Sequence, residues 1–381
     1  MCLFMALVFA ACGSDDAVDT PEEATAVDQD NDLTAATIDS NYVYELPVIF
    51  HVLYQNANDA SQYIPAARLK NILQYVNEIY QGGIYGESQA MNVKFVLAEY
   101  DESGKKLSTP GVEYVKYSGE YPIDVTKFMK DNTGANTKYI WDPNDYINVM
   151  MFNFKSDDAT DGVTLGISHM PLSVSDTTAL AGLQTTTSRY ISKSNLAYAH
   201  CSAINSTYAN LASTGGYYQS SRYVNGIQNG YTVVPSDIVV TLAHELGHYL
   251  GLFHMFTENE EDDSVEPVDS CADTDYCEDT PSYNRSEYES YLTYYMENNS
   301  SPQLNDVILR HACDGTEFFS ANIMDYSYSL GYKFSADQKA RVRHVLYYSP
   351  LIPGPKKNGV NVRTRAASDN EKLNLRPVII R

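Results

Sequence analysis

The stretch HELGHYLGLFH, residues 244–254, gathers three of the chain's eight histidines and one glutamate into eleven positions. Before it runs IVVTLA, residues 238–243, opened by Pro235-Ser236-Asp237. That order predicts a helix over 238–250 with Ser236 as its N-cap, stopping near Gly251. On a helix, residues four apart lie one turn apart on one face, so His244 and His248 project together and can hold one metal ion. Glu245 points to the flank, where it reaches a water without being a ligand. Gly251 permits a left-handed backbone, so the chain can reverse and His254 can supply a third nitrogen. Three protein ligands with a fourth position left to water describe catalytic rather than structural zinc.

A second stretch, ANIMDYSYS at residues 321–329, gains meaning from the first. Met324 would form the floor beneath the imidazoles, in a tight turn that packs without ligating. Tyr326 can aim its hydroxyl at the metal as an auxiliary ligand or oxyanion donor. The other reading of Tyr326 is a buried tyrosine bonded to the backbone.

Around these motifs the chain reads as α/β. YELPVIFHVLY, residues 44–54, is a buried strand, and residues 64–81 carry Leu69, Ile72, Leu73, Val76 and Ile79 at helical spacing. Strands follow from Met91 and from Tyr146. Residues 171–230 are rich in Ser, Thr, Asn, Gly and Tyr and read as long loops with short elements. An acidic loop follows the zinc helix. Residues 285–298 read as a helix, and Ser335 with Gln338 forms a capping signature for a last helix through about Tyr347.

With 381 residues the chain can bury a sizeable core, and a formal net charge of -23 makes nucleic acid an unfavourable partner. It equally disfavours direct adhesion to anionic lipid. MCLFMALVFAAC, residues 1–12, is too short to span a bilayer and reads as the apolar part of a secretory signal. No basic residue precedes Arg68, so the true start is expected upstream. Phe9-Ala10-Ala11-Cys12 resembles a lipoprotein cleavage box, with Cys12 as the lipidated residue; an ordinary signal peptide is the other reading. The acidic, low-apolar residues 13–41 read as a disordered linker. Cys201, Cys271, Cys277 and Cys313 form an even set in an exported chain and are expected to make two disulfides, with the pairing open.

The run His244-Glu245-x-x-His248-x-x-Gly251-x-x-His254 with a later Met-turn resembles the metzincin zinc peptidases. LPVIFHVLY, WDPNDYINVMMFNF, Asp279-Thr280-Pro281 and Asn322 to Tyr326 resemble the pappalysin (cytophagalysin) family in particular. The leader points to a bacterial lipoprotein member. The resemblance implies a metzincin-like α/β (α+β) fold: a twisted mixed sheet, a long active-site helix above the cleft, and an irregular lower subdomain with a C-terminal helix. The catalytic domain is expected over 42–350, with an upper part at 42–251, a lower part at 252–350 and a tail at 351–381. Some relatives prefer a basic residue after the cut, through an acid just past the Met-turn. Here Ser327, Tyr328, Ser329 and Leu330 follow, so that preference does not carry over.

The expected reaction is zinc-dependent endoproteolysis of protein or peptide substrates, with Glu245 as general base acting on the zinc water. The expected setting is an exported, monomeric lipoprotein of the outer membrane or cell surface, held to the membrane only by its N-terminal lipid. A second reading is a catalytically weak or inactive surface protein that binds proteins or glycans on the same fold. The acidic loop from Glu258 to Asp279 suits either plain solvation or a calcium ion.

Overall fold

The computed structural model describes residues 38–155, 163–209, 212–213, 216–217, 236–258, 267–326, 328–357 and 372–380. Cys12 and most of the acidic segment 13–41 lie outside these. The sheet is built on β1 (Tyr44–Tyr54). One edge of β1 pairs in parallel with β2 (Val93–Leu97) and then β3 (Val112–Lys116), and the other edge with β4 (Ile147–Phe152). β5 (Gly166–His169) follows, then the short parallel pair β6 (Ser173–Val174) and β7 (Thr185–Thr186). β8 (Ser202–Asn205) lies parallel to β4, and β5 returns antiparallel to β8. A two-residue pair, β9 (Ala212–Ser213) and β10 (Gly216–Tyr217), precedes the zinc-motif helix.

β1 is apolar almost throughout because both its faces are covered. Leu46, Val48, Phe50 and Val52 join the main core with α1 (Ala66–Gln81), while Leu53 joins a second core with α2 (Val125–Lys130). α1 buries Leu69, Ile72, Leu73, Val76, Ile79 and Tyr80 along one stripe. Truncating Ile72 to alanine there would cost roughly 2–5 kcal/mol. The same main core takes in α3 (Ile238–Tyr249), and the Tyr80 hydroxyl donates to the Ala243 carbonyl at 3.0 Å, tying α1 to it. Asp237, not Ser236, caps α3: its carboxylate accepts from Val239 N at 2.9 Å and Val240 N at 3.4 Å. The helix starts one residue later than its capping signal suggests, and an aspartate answers the helix dipole better than a hydroxyl.

Below α3 the chain is irregular. It holds α4 (Arg285–Asn298), α5 (Leu304–Ile308) and the hairpin of β11 (Leu309–His311) and β12 (Glu317–Phe319). α6 (Ala336–Tyr348) then returns Val342, Val345 and Leu346 to the main core, opened by the full Ser335–Gln338 capping box. This is a mixed-sheet α/β architecture, with its zinc-motif helix packed on one face of the sheet.

Residues on either side of 42–350 also pack against the sheet and its cores. Ile38 is buried in the main core, and the Arg343 guanidinium donates to the Asp39 carbonyl at 2.8 Å. The expected tail 351–381 is partly built in. Leu351, Leu375 and Ile379 enter the second core, and β13 (Ile379–Ile380) lies antiparallel on the free edge of β5. Two of the four described cysteines also depart from expectation. Cys271 and Cys313 are bonded, whereas Cys201 and Cys277 are free and buried. Cys201 sits in the second core against the Met129 sulfur, and Cys277 lies in the lower part beside Asp275 and Arg341, so the two have no shared site in which to pair. No helix among the described residues is long and apolar enough to cross a membrane.

Candidate active site

α3 carries His244, Glu245 and His248 to one place, and the turn at Gly251 brings back His254. Gly251 has φ 93°, and a Cβ there would meet the Val345 side chain at 2.7 Å, so glycine is required for both its conformation and the space. Its N–H donates to the His248 carbonyl at 2.8 Å, and Leu252 N to the Gly247 carbonyl at 2.9 Å, which closes the helix end. Arg341 of α6 donates to the Gly251 carbonyl at 2.5 Å and fixes the reversal from below.

The three Nε2 atoms converge. His244 and His248 are 2.9 Å apart, and each lies 3.1 Å from His254. A tetrahedral zinc with bonds of about 2.0–2.1 Å separates its ligand atoms by about 3.3 Å, so the triangle fits that ion with a slight opening. The three residues are buried, and among the described residues they are the only such group of His, Cys, Asp or Glu that could hold a metal. Each Nδ1 is occupied: His244 on the Ile323 carbonyl at 2.7 Å, His248 on the Leu252 carbonyl at 2.7 Å, and His254 on the Glu258 carboxylate at 2.6 Å. Acceptors at Nδ1 assign the proton there and leave each Nε2 lone pair for a metal. Burial holds all three rings neutral: His244 is pulled down to about 4, and His248 and His254 go well below the usual imidazole range.

Glu245 is buried, and its Oε2 has no hydrogen-bond partner. Burial pushes its carboxyl up to about 8, and Ser168 beside it pulls the other way. A dication on the neighbouring imidazoles favours the ionised form that a base needs. The space for this carboxylate is made by β5. A Cβ on Gly166 would lie 2.4 Å from Glu245 Oε1. The Ser168 hydroxyl, two residues on, lies 2.7 Å from the Glu245 carbonyl oxygen.

Met324 is fully buried beneath the zinc helix, and its carbonyl accepts from Met255 N at 3.2 Å. Tyr326 stands beside the histidines, its ring centroid 4.3 Å from that of His254 and 5.6 Å from that of His244. The turn is held by Asp325, whose Oδ1 accepts from the Tyr283 hydroxyl at 2.6 Å and Tyr326 N at 2.7 Å, while Ser320 donates to Oδ2. Arg310, fully buried, pairs with Asp325 at 3.4 Å and donates to the carbonyls of Tyr326 at 3.2 Å and Tyr328 at 3.0 Å. Asp279 of the Asp-Thr-Pro triplet accepts from Ala336 N at 2.8 Å and Asp337 N at 3.1 Å, bolting the lower loop to the start of α6.

Residues 188–347 match the peptidase family described as Pregnancy-associated plasma protein-A. The matched segment contains all three histidines, Glu245, Met324 and Tyr326. This is a zinc metalloendopeptidase. No protein of curated function matches the chain. Among solved structures, mature mirolysin of Tannerella forsythia in complex with a cleaved peptide is similar at 20% identity and TM-score 0.46, over 79% of this chain and 90% of that one. A promirolysin mutant from the same organism is similar at 20% identity and TM-score 0.48, over 80% and 81%. Mirolysin in complex with compound 9 gives 19% identity and TM-score 0.48, over 80% and 92%. The metallopeptidase assignment rests on the site's own geometry and the family match, not on these three likenesses.

Sequence reasoning missed Glu258, Gly166, Ser168 and Arg310. The sequence places Glu258 at the start of the acidic loop, and its carboxylate accepts from His254 at 2.6 Å. The i, i+4 spacing from His254 to Glu258 was the one local signal available. The others come together only through the tertiary fold.

Proposed function

We propose that the peptidase cleaves peptide bonds with Glu245 as general base and Tyr326 as the donor to the developing oxyanion, on an exported lipoprotein anchored through Cys12. Zinc held by the three imidazoles supplies Lewis acidity, which lowers the pKa of water and polarises a carbonyl. Glu245 accepts the proton of the attacking water and returns it to the leaving amine. Its partnerless, buried Oε2 is the observation that carries this reading: a carboxylate oxygen with no protein donor is set aside for a proton in transit. The ring of Tyr326 lies edge-on to His254, which supports a role for its hydroxyl as donor where negative charge grows. The Arg310–Asp325 pair holds that tyrosine's backbone from behind.

The anchor rests on sequence alone, on the apolar run ending in Ala10-Ala11-Cys12. Replacing Cys12 by serine in the native host should release the protein from the membrane fraction; retention there removes the anchor from the reading. The reading treats the chain as a monomer and gives calcium no catalytic step. A stabilising role for calcium in the loop 258–279 is excluded if melting is indifferent to chelator-buffered calcium. Activity is tested by digesting a diverse peptide library with the purified protein and reading the products by mass spectrometry. Cleavage should stop with chelator and resume with zinc. A zinc-loaded protein that cuts nothing would favour the binding-protein reading instead.

A further inference from the structure

His254 differs from its two companions in what its outer nitrogen meets. His244 and His248 donate Nδ1–H to backbone carbonyls, whereas His254 faces the Glu258 carboxylate at 2.6 Å. Glu258 is held in place by its surroundings. Its N–H donates to Thr274 Oγ1 at 3.1 Å, and the neighbouring Thr257 hydroxyl donates to the Ala272 carbonyl at 2.6 Å. Ala272 follows Cys271, which is bonded to Cys313. The carboxylate therefore belongs to a segment pinned at both threonines and backed by a disulfide. Arg285 supplies a positive charge on the same side, its guanidinium 5.0 Å from the Phe256 ring and 4.8 Å from the Tyr326 ring.

Resting on the zinc-peptidase reading, we propose that Glu258 is a positioning residue for the metal, holding His254 in its ligand tautomer and strengthening that ring as a donor. A charged acceptor binds the Nδ1–H more strongly than a neutral carbonyl does. Electron density pushed into the ring makes Nε2 more basic toward zinc. Three neutral imidazoles bring no charge to the ion, and among the described residues Glu258 is the carboxylate in hydrogen-bond contact with a ligand. His254 is also the ligand that arrives from outside the helix. Its ring is oriented by the loop rather than by helical geometry, so it has the most to gain from a fixed partner.

The test compares wild type, Glu258→Gln, Glu258→Ala and His248→Ala, as full chains, in zinc titrations against a competing chromophoric chelator, with melting curves of apo and zinc-loaded forms. Zinc affinity should fall about 10–100-fold in Glu258→Ala. Glu258→Gln should fall between the two, since its amide oxygen keeps the hydrogen bond and loses the charge. Apo melting should stay close to wild type in both, while the melting increment on adding zinc shrinks in the same order. Equal zinc affinities in wild type and both Glu258 variants, with His248→Ala defective, would overturn this role and leave the zinc site intact. So would an apo melting loss in Glu258→Ala as large as the zinc-loaded loss. A wild type that binds no zinc would overturn the underlying reading together with it.

Discussion

The sulfur of Met324 occupies the place that a side chain on Gly247 would need: a Cβ built there meets it at 2.6 Å. Gly247 sits within the zinc motif, between Glu245 and His248. The Met-turn thus reaches the metal helix at its one missing side chain and comes up directly behind the ligands.

Gly247→Ala sets two effects against each other. Alanine favours the helix by about 1 kcal/mol over glycine. Overpacking against Met324, fully buried, costs about 1–3 kcal/mol. The net should be a loss of stability, with weaker zinc binding as the helix or the turn gives way. The double variant with Met324→Ala should be more stable than the sum of the two single losses, because the second change clears the space. Denaturant melts of the four proteins measure this, and strict additivity would refute the contact.

Gly166→Ala addresses the general base in the same way. The added methyl would lie 2.4 Å from Glu245 Oε1, so the carboxylate must move. A displacement of about 1 Å can cost on the order of 100-fold in rate. The expected outcome is a strong fall in kcat with zinc content retained. Wild-type kcat in this variant would show that the Glu245 position is not critical.

Removing the disulfide, with both Cys271 and Cys313 changed to serine, frees a loop of 42 residues. Chain-entropy arguments put the loss at roughly 4 kcal/mol or less. The loop carries Glu258's supports, so zinc affinity should fall with stability. Thiol titration of the unfolded, unreduced domain without its leader should count two thiols, Cys201 and Cys277. A count of zero would restore the second disulfide that the sequence suggested.

Acid should destabilise the fold through His169 and His200. His169 is buried and pulled down to about 4 by burial, with Met129 and Cys201 backbone contacts opposing. His200 is buried with neither ring nitrogen bonded, and lies well below the usual range. Below the unfolded value of 6.5, the unfolded chain takes up protons that the folded chain refuses, so stability falls as pH drops. The His169 contribution is complete above pH 6.5 and lost progressively down to about 4, on the order of 3 kcal/mol in all. His200→Phe should flatten the stability profile between pH 7.5 and 5. An unchanged slope would exclude His200 as a source.

What the sequence disclosed and what it withheld follow from the range of the interactions. The zinc ligands were readable because a helix converts a spacing of four into one face, and Gly251 marks the reversal. β1 and β4 were readable because strands buried on both faces are apolar throughout. β8, Ser202–Asn205, carries two polar residues in four, so periodicity cannot place this short element, although it pairs with both β4 and β5. Gly166 lies 79 positions before Glu245 in sequence, and no local pattern links a glycine to a carboxylate at that distance. Arg310 and Asp325 make a buried ion pair across the lower part, where the chain has little periodicity to read. The cap of α3 is Asp237, one residue past the Ser236 that the sequence pattern indicates, because a one-residue difference in helix phase is below what the pattern resolves.

The central claim is that Glu245 moves the proton while His244, His248 and His254 hold the zinc. Glu245→Ala tests it most directly, with metal content measured on the same sample that is given the peptide library. One zinc per chain and cleavage abolished, beside a wild type with one zinc and active cleavage, is the result expected. A zinc-loaded Glu245→Ala protein that cuts the library at the wild-type rate would contradict it.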